Sequence, residues 1–325
     1  MLKRTSTFLA AAWVASGIVM AQQLPLGNQY LLNGFSLSPA YAGANDNIEA
    51  LLSYRKDWSG VSGSPESRLI NINGALPEIL GFIPGLPNNM GIGAAILSEE
   101  AGIFRTTGMS LSYAYKIKIA ALQSIRLGLS AGLLESNIDL SDLGTQGIND
   151  PVVMNNQDSR TRMFDAGFGA LYRFQNFDFG VAVPRLIESK VKDTDNDTVY
   201  TFSRHYLVHA SYLYSINKQF QVQPFLVGRT TANSGFLYEA AAMVRYQNQL
   251  WLALMYRKGG TMGISMGGKF YHVVQMGYSY EFSGEGMLGK SSGTHEISLG
   301  FIIGGNKSEV PASTPKKPYY DWIKN

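Results

Sequence analysis

The chain has 325 residues, no cysteine, 16% charged residues and a formal net charge of +3. The lack of cysteine excludes disulfides, thiolate metal sites and a lipid-modified N-terminal cysteine. No basic run points to nucleic acid, while 35 glycines and 12% aromatics suit a chain of many strands and turns.

Residues 1–21 have a secretory plan. Lys3 and Arg4 form the charged start, Phe8 to Met20 is apolar, and Val19-Met20-Ala21 offers a small-residue cleavage site. A membrane anchor is the alternative, but the apolar run is short for a bilayer. Residues 22–47 form an aperiodic lead-in. Ser38-Pro39 disfavours helix before the proline, and Gly43 permits a tight bend. Tyr30, Phe35 and Tyr41 call for burial, and an aperiodic backbone needs polar partners. The lead-in is therefore expected to enter the body of the protein as a plug.

From 48 to 303 the sequence alternates with period two, and the expected fold is all-β: an antiparallel transmembrane β-barrel of about 14 strands. The first strand, Ile48 to Trp58, sets Ile48, Ala50, Leu52 and Tyr54 against Glu49, Ser53, Arg55 and Asp57. A second follows from Ser67 to Ala75, then a Pro/Gly-rich connection over 76–89, and a third strand from Met90 to Ser98. The fourth alternates Met109, Leu111, Tyr113 and Tyr115 with Ser110, Ser112 and Lys116, and the fifth alternates Leu127 and Leu129 with Gly128 and Ser130. Residues 136–161 read as a long loop. Strand six shows Phe164, Phe168 and Tyr172, and strand seven Phe177, Phe179 and Val181. Residues 185–202 read as a second long polar loop. Strands eight to fourteen begin near Tyr206, Phe220, Phe236, Leu250, Met262, Val274 and Thr294.

An apolar row opposite small and polar residues is the pattern of a membrane barrel, and a span made of strands must close, because open edges cannot face lipid. Connections after strands five, seven and thirteen are long and those after six, eight and ten short. The two kinds fall at opposite ends, as in outer-membrane barrels, except that the longish 76–89 connection falls on the short-loop side. A soluble β-sandwich is the rival, but it has no use for an aromatic outer row.

Two stretches carry a family resemblance: NQYLLNGFSLSPAYAG and YRKDWSGVSGSP. They resemble the opening of the PorP/SprF outer-membrane proteins of the type IX secretion system of Bacteroidetes, whose pattern runs SQY, NPAYAG, then YR-x-QW-x-G-x-x-G-x-P. Gln29, Tyr30, Pro39, Ala40, Tyr41, Ala42, Gly43, Tyr54, Arg55, Trp58, Gly60, Gly63 and Pro65 match it. Ser38 stands for the usual Asn and Asp57 for the usual Gln. The resemblance implies an outer-membrane component or accessory that supports export or surface retention of secreted proteins such as gliding adhesins. It also implies periplasmic or outer-membrane secretion components as partners. With a periplasmic N-terminus, an even strand count is expected to leave the C-terminus periplasmic too. A passive or hydrophobic-solute channel is the alternative.

No residue pattern demands a cofactor, a metal or a catalytic centre. His205 and His209 lie about 13 Å apart along one strand at roughly 3.3 Å per residue, too far to share a metal. Ser211 beside His209 is what alternation gives by chance, and no GxSxG elbow occurs. Asp193, Asp195 and Asp197 start like a calcium loop, but Thr198 and Arg204 occupy the Gly and Glu positions, so a solvated acidic loop accounts for them. The expected inward charges (Glu49, Arg55, Asp57, Arg126, Asp165, Arg173, Asp178, Glu239, Arg245 and Glu281) mix both signs, which suggests pairs crossing a partly filled lumen rather than a selective ring. The tail, 304–325, carries Pro311, Pro315 and Pro318 and cannot extend the sheet. Its end gathers Tyr319, Tyr320, Trp322 and Ile323 as candidate partner-binding residues.

Overall fold

The computed structural model describes residues 27–81, 83, 85–138, 160–192, 198–232, 234–284 and 289–304. The expected signal peptide, residues 22–26 of the lead-in, the acidic run at 193–197 and the tail beyond 304 lie outside the described residues.

Seventeen strands occur among the described residues. The first seven are β1 (Ile48–Lys56), β2 (Glu66–Ala75), β3 (Met90–Ala101), β4 (Phe104–Ala120), β5 (Gln123–Ile138), β6 (Arg160–Phe174) and β7 (Phe177–Val183). Next come β8 (Ser189–Lys192), β9 (Thr198–Phe202), β10 (His205–Tyr212), the two-residue β11 (Tyr214–Ser215), β12 (Phe220–Thr231) and β13 (Ser234–Tyr246). The last four are β14 (Leu250–Arg257), β15 (Thr261–Phe270), β16 (Val274–Phe282) and β17 (Thr294–Ile303).

All but β8, β9 and β11 form one antiparallel ring of fourteen strands. Each pairs with its predecessor along the chain, β10 bridges β7 and β12, and β1 closes on β17 in the register Arg55↔Glu296. The fourteen strands stand where alternation puts them, and β11 extends the ladder of β12 by two residues.

The faces divide as the sequence implies. Outward residues are large and apolar: Leu111 is 71% exposed, and Leu129, Leu226 and Leu254 are each 61% exposed. Inward residues are buried and largely polar, among them Ser53, Arg55, Asn71, Asn73, Ser112, Arg126, His209, Glu239 and Glu281. A soluble sandwich would bury the apolar face. This molecule presents it, as only a barrel in lipid can afford.

Two loops differ from expectation. Residues 185–202 are more than a polar loop: β8 and β9 pair there as a separate hairpin, Ser189↔Phe202. Phe202 turns inward and packs on Leu134 and Met163, beneath the guanidinium of Arg185. The strands are too short, and too polar at their flanks, for a period to show in the sequence. The 76–89 connection opens with one helical turn, α1 (Leu76–Ile79). The β3–β4 hairpin also runs further than read, as far as Ala101↔Phe104, and turns on Gly102 at φ +57°. Trp58 lies past the end of β1 at φ +46°, 41% exposed.

Candidate functional site

Fourteen strands enclose more space than inward side chains can fill. The lead-in occupies it. Residues 28–41 make three short 3-10 turns: Asn28–Leu31, Gly34–Ser36 and Pro39–Tyr41. The second and third turns each start on a side-chain cap. Asn33 Oδ1 accepts the Phe35 N–H at 2.8 Å, and Ser38 Oγ accepts the Ala40 N–H at 3.2 Å. Asn and Ser are both good caps, which is why Ser38 can stand where the family pattern has Asn. Pro39 fits the first position of its turn, where no N–H is needed.

The lead-in is held by charge at one end. Glu296, buried on β17, accepts the Asn28 backbone N–H at 2.7 Å. Asn28 Nδ2 donates to Glu281 at 2.9 Å. Both carboxylates are gathered by Arg55, which also binds Asp57 at 2.7 Å. Arg257 joins Glu281 at 3.0 Å to Glu239 at 2.6 Å. Tyr30 donates its phenol to Glu239. Burial, and then the facing Glu239 carboxylate, raise the Tyr30 pKa well above its ordinary value, so the phenol keeps its proton and donates. Tyr30 and Leu31 then pack on Met243, Ala253 and Met255 of the wall.

At the other end the lead-in is held by backbone contacts. Arg126 donates from Nε to the Ala40 carbonyl at 3.2 Å and from Nη2 to the Ala42 carbonyl. Arg173 donates to the Ala44 carbonyl at 2.9 Å, and Asn73 Oδ1 accepts the Gly43 N–H at 3.1 Å. An irregular backbone placed away from water must find such partners.

The close fit explains the small residues. A Cβ on Gly91 would lie 2.0 Å from the Ala42 carbonyl oxygen, and one on Gly128 would lie 2.3 Å from the Ala40 nitrogen. Gly43 sits at φ +64°, where a Cβ would also meet Ala75 backbone at 2.7 Å. Only glycine satisfies both demands there. The PAYAG stretch and the inward glycines of β3 and β5 are thus two halves of one contact.

These contacts bring the two halves of the motif to one object. Tyr30 and residues 39–43 are the inserted segment, and Arg55 organises the carboxylates that hold its start. Gly60 at φ +90° and Gly63 at φ +69° shape the turn after β1, and the Pro65 carbonyl accepts the Asp57 N–H at 2.8 Å. Tyr54 stands outside on the lipid-facing row, bonded to Glu66 at 3.0 Å. Asp57, where the pattern has Gln, adds a charge on Arg55 that an amide would not supply.

A profile of the family described as "Type IX secretion system membrane protein PorP/SprF" matches residues 19–301. This chain belongs to the PorP/SprF family. With its lipid-facing barrel, membership places it in the outer membrane as a type IX secretion membrane component. Among solved structures it is similar to the outer membrane protein Omp33 of Acinetobacter baumannii, at TM-score 0.43 and 8% identity over 79% of this chain and 97% of that one. The Pseudomonas putida toluene transporter TodX gives TM-score 0.44 and 9% identity over 87% of this chain and 94% of that one. The translocator domain of the Neisseria meningitidis autotransporter NalP gives 0.41 and 11% over 79% and 88%. At these scores the likeness is loose, and the architecture of this PorP/SprF protein stands on its own strand pairing. No match to a curated protein is found.

Among the expected inward charges, Arg55 meets Asp57 and Glu281, and Arg173 meets Asp178 at 2.7 Å. Arg126 takes carbonyls rather than a carboxylate. His209 lies inward with its ring centroid 5.4 Å from that of Tyr41. Among the described residues no three His, Asp or Glu side chains come together as a metal site. Sequence reasoning left Asn71, Asn73, Arg257 and Glu296 out of the functional set. The signal was available in the alternation of Asn71 and Asn73 with Ile70 and Ile72, and Arg257 follows the outward Tyr256.

Proposed function

We propose that this PorP/SprF protein serves the type IX system as a closed outer-membrane partner that supports export or surface retention of secreted proteins such as adhesins. The observation that carries the proposal is the lead-in fixed inside the barrel by buried ion pairs and backbone contacts. A diffusion pore gains nothing from such a plug. The short-turn end, where β1 begins and β17 ends, faces the periplasm in this reading, and both termini leave there. The tail residues Tyr319, Tyr320, Trp322 and Ile323 would then reach a periplasmic secretion component. The protein acts by binding rather than by catalysis and needs no cofactor.

Deletion of the gene tests this. Loss of a surface protein with normal solute uptake supports the secretion role, and a crosslinked pull-down from intact cells should recover secretion components. Steady single-channel conductance of the purified barrel, with secretion intact in the deletion strain, would instead favour the passive channel.

A further inference from the structure

The lumen is not evenly filled. A cavity of about 330 Å³ lies between the lead-in and the wall made by β6, β7, β10, β12 and β13, and it reaches the turn residues Gln175 and Asn176. Its arginine and carboxylate lining is Arg173, Arg245 and Asp178, and two positive charges less one negative leave +1. Arg173 and Asp178 satisfy one another through two parallel bonds of 2.7 and 2.8 Å. Arg245 is different. It is half-buried and makes no hydrogen bond or ion pair among the described residues.

Two more polar atoms of the same wall lack partners: His209 Nε2 and Gln223 Oε1 are buried and unbonded. His209 as a whole is 4% exposed. Its Nδ1 faces the Tyr41 hydroxyl at 3.5 Å, which suits the tautomer carrying the proton on Nε2. Gln223 Nε2 lies 3.4 Å from the Ser211 hydroxyl. Turning the amide over lets its oxygen accept from that hydroxyl. The lead-in brings the apolar side chains of Leu31 and Leu37 to the cavity, and Phe225 of β12 adds a ring from the wall.

A guanidinium without a partner, a lining charge of +1, and apolar side chains from both the lead-in and the wall define a complementary ligand. We propose that this cavity binds a small organic monoanion, with its carboxylate on Arg245 and a short apolar body against Leu31, Leu37 and Phe225. Arg245 can take a carboxylate in two-point fashion. The volume lies at the small end of ligand sites, and the single positive excess favours a monoanion over a dianion.

Isothermal titration calorimetry of the purified barrel in a neutral detergent tests the site, with butyrate and benzoate as probes and butan-1-ol and inorganic phosphate as counter-probes. One carboxylate should bind saturably at a single site, at least tenfold more weakly in Arg245→Gln, while the alcohol shows no saturable binding. Three results overturn the proposal: no saturable carboxylate binding by the wild type, undiminished binding in Arg245→Gln, or phosphate binding as tightly as the carboxylate. Folding of each variant is checked by heat-modifiable gel mobility. Should Arg245→Gln fail to fold, Ser211→Leu fills the cavity from its polar wall and must abolish binding; retained binding in that variant overturns the site equally.

Discussion

Arg55 and Lys56 are neighbours on β1 whose side chains leave the strand on opposite faces, and each holds a carboxylate. Replacing Arg55 with methionine keeps the bulk and removes the charge. The wild-type guanidinium holds Asp57 at 2.7 and 3.1 Å, Glu281 at 2.6 and 3.0 Å, and Glu296 at 3.2 Å. The side-chain exposure of Arg55 is 6%, and that of Glu281 and Glu296 is 3% and 1%. Breaking such a buried pair from one side costs about 3–5 kcal/mol, because the partner is left charged and unpaired. Here three carboxylates lose their common cation, and only Arg257 remains bonded to Glu281, so the upper part of that range is expected. Lys56 holds Glu66 at a similar 2.7 Å, but its side chain is 40% exposed. Water screens that pair, and Lys56→Ala should barely alter stability. Urea unfolding in lipid vesicles, followed by tryptophan fluorescence, measures both. The double variant Arg55→Met/Glu281→Met should recover part of the loss, since an apolar pair in place of an ion pair is often tolerated. The reasoning is refuted if Arg55→Met unfolds with the wild type, or if Lys56→Ala costs as much as Arg55→Met.

Three further outcomes follow from the same geometry. Gly128→Val puts a side chain on a wall where even a Cβ would stand 2.3 Å from the Ala40 nitrogen; overpacking costs about 1–3 kcal/mol or more, so the barrel should persist while residues 27–47 become open to limited proteolysis, and continued protection would show the lead-in is not seated there. Leu111→Arg places a charge on the lipid face at a residue 71% exposed and should destabilise the barrel in vesicles by about 2–4 kcal/mol; an unchanged unfolding midpoint would mean that this face does not meet lipid. Truncation after Gly305 should leave a heat-modifiable barrel but reduce recovery of secretion partners, and normal recovery would reduce the aromatic tail to a mere extension.

The sequence by itself determined the strands, their number and their two faces. Alternation is a local property of an extended backbone, so Leu111 and Ser112 declare opposite sides without knowledge of any neighbour. It also determined that the lead-in needed burial, because Tyr30, Phe35 and Tyr41 sit in a stretch with no period to pack them into a sheet. The hairpin of β8 and β9 escaped because two short strands carry too few residues to show a period. The partners of Arg55 escaped for a different reason. Glu281 and Glu296 lie 226 and 241 residues along the chain. They meet Arg55 only because β1 closes on β17, and the register of that closure then sets Arg55 opposite Glu296. The empty space beside Arg245 is decided at the same level: whether an inward arginine finds a carboxylate, a carbonyl or a cavity depends on which strands the closed ring brings opposite it and on how far the lead-in fills the lumen between them.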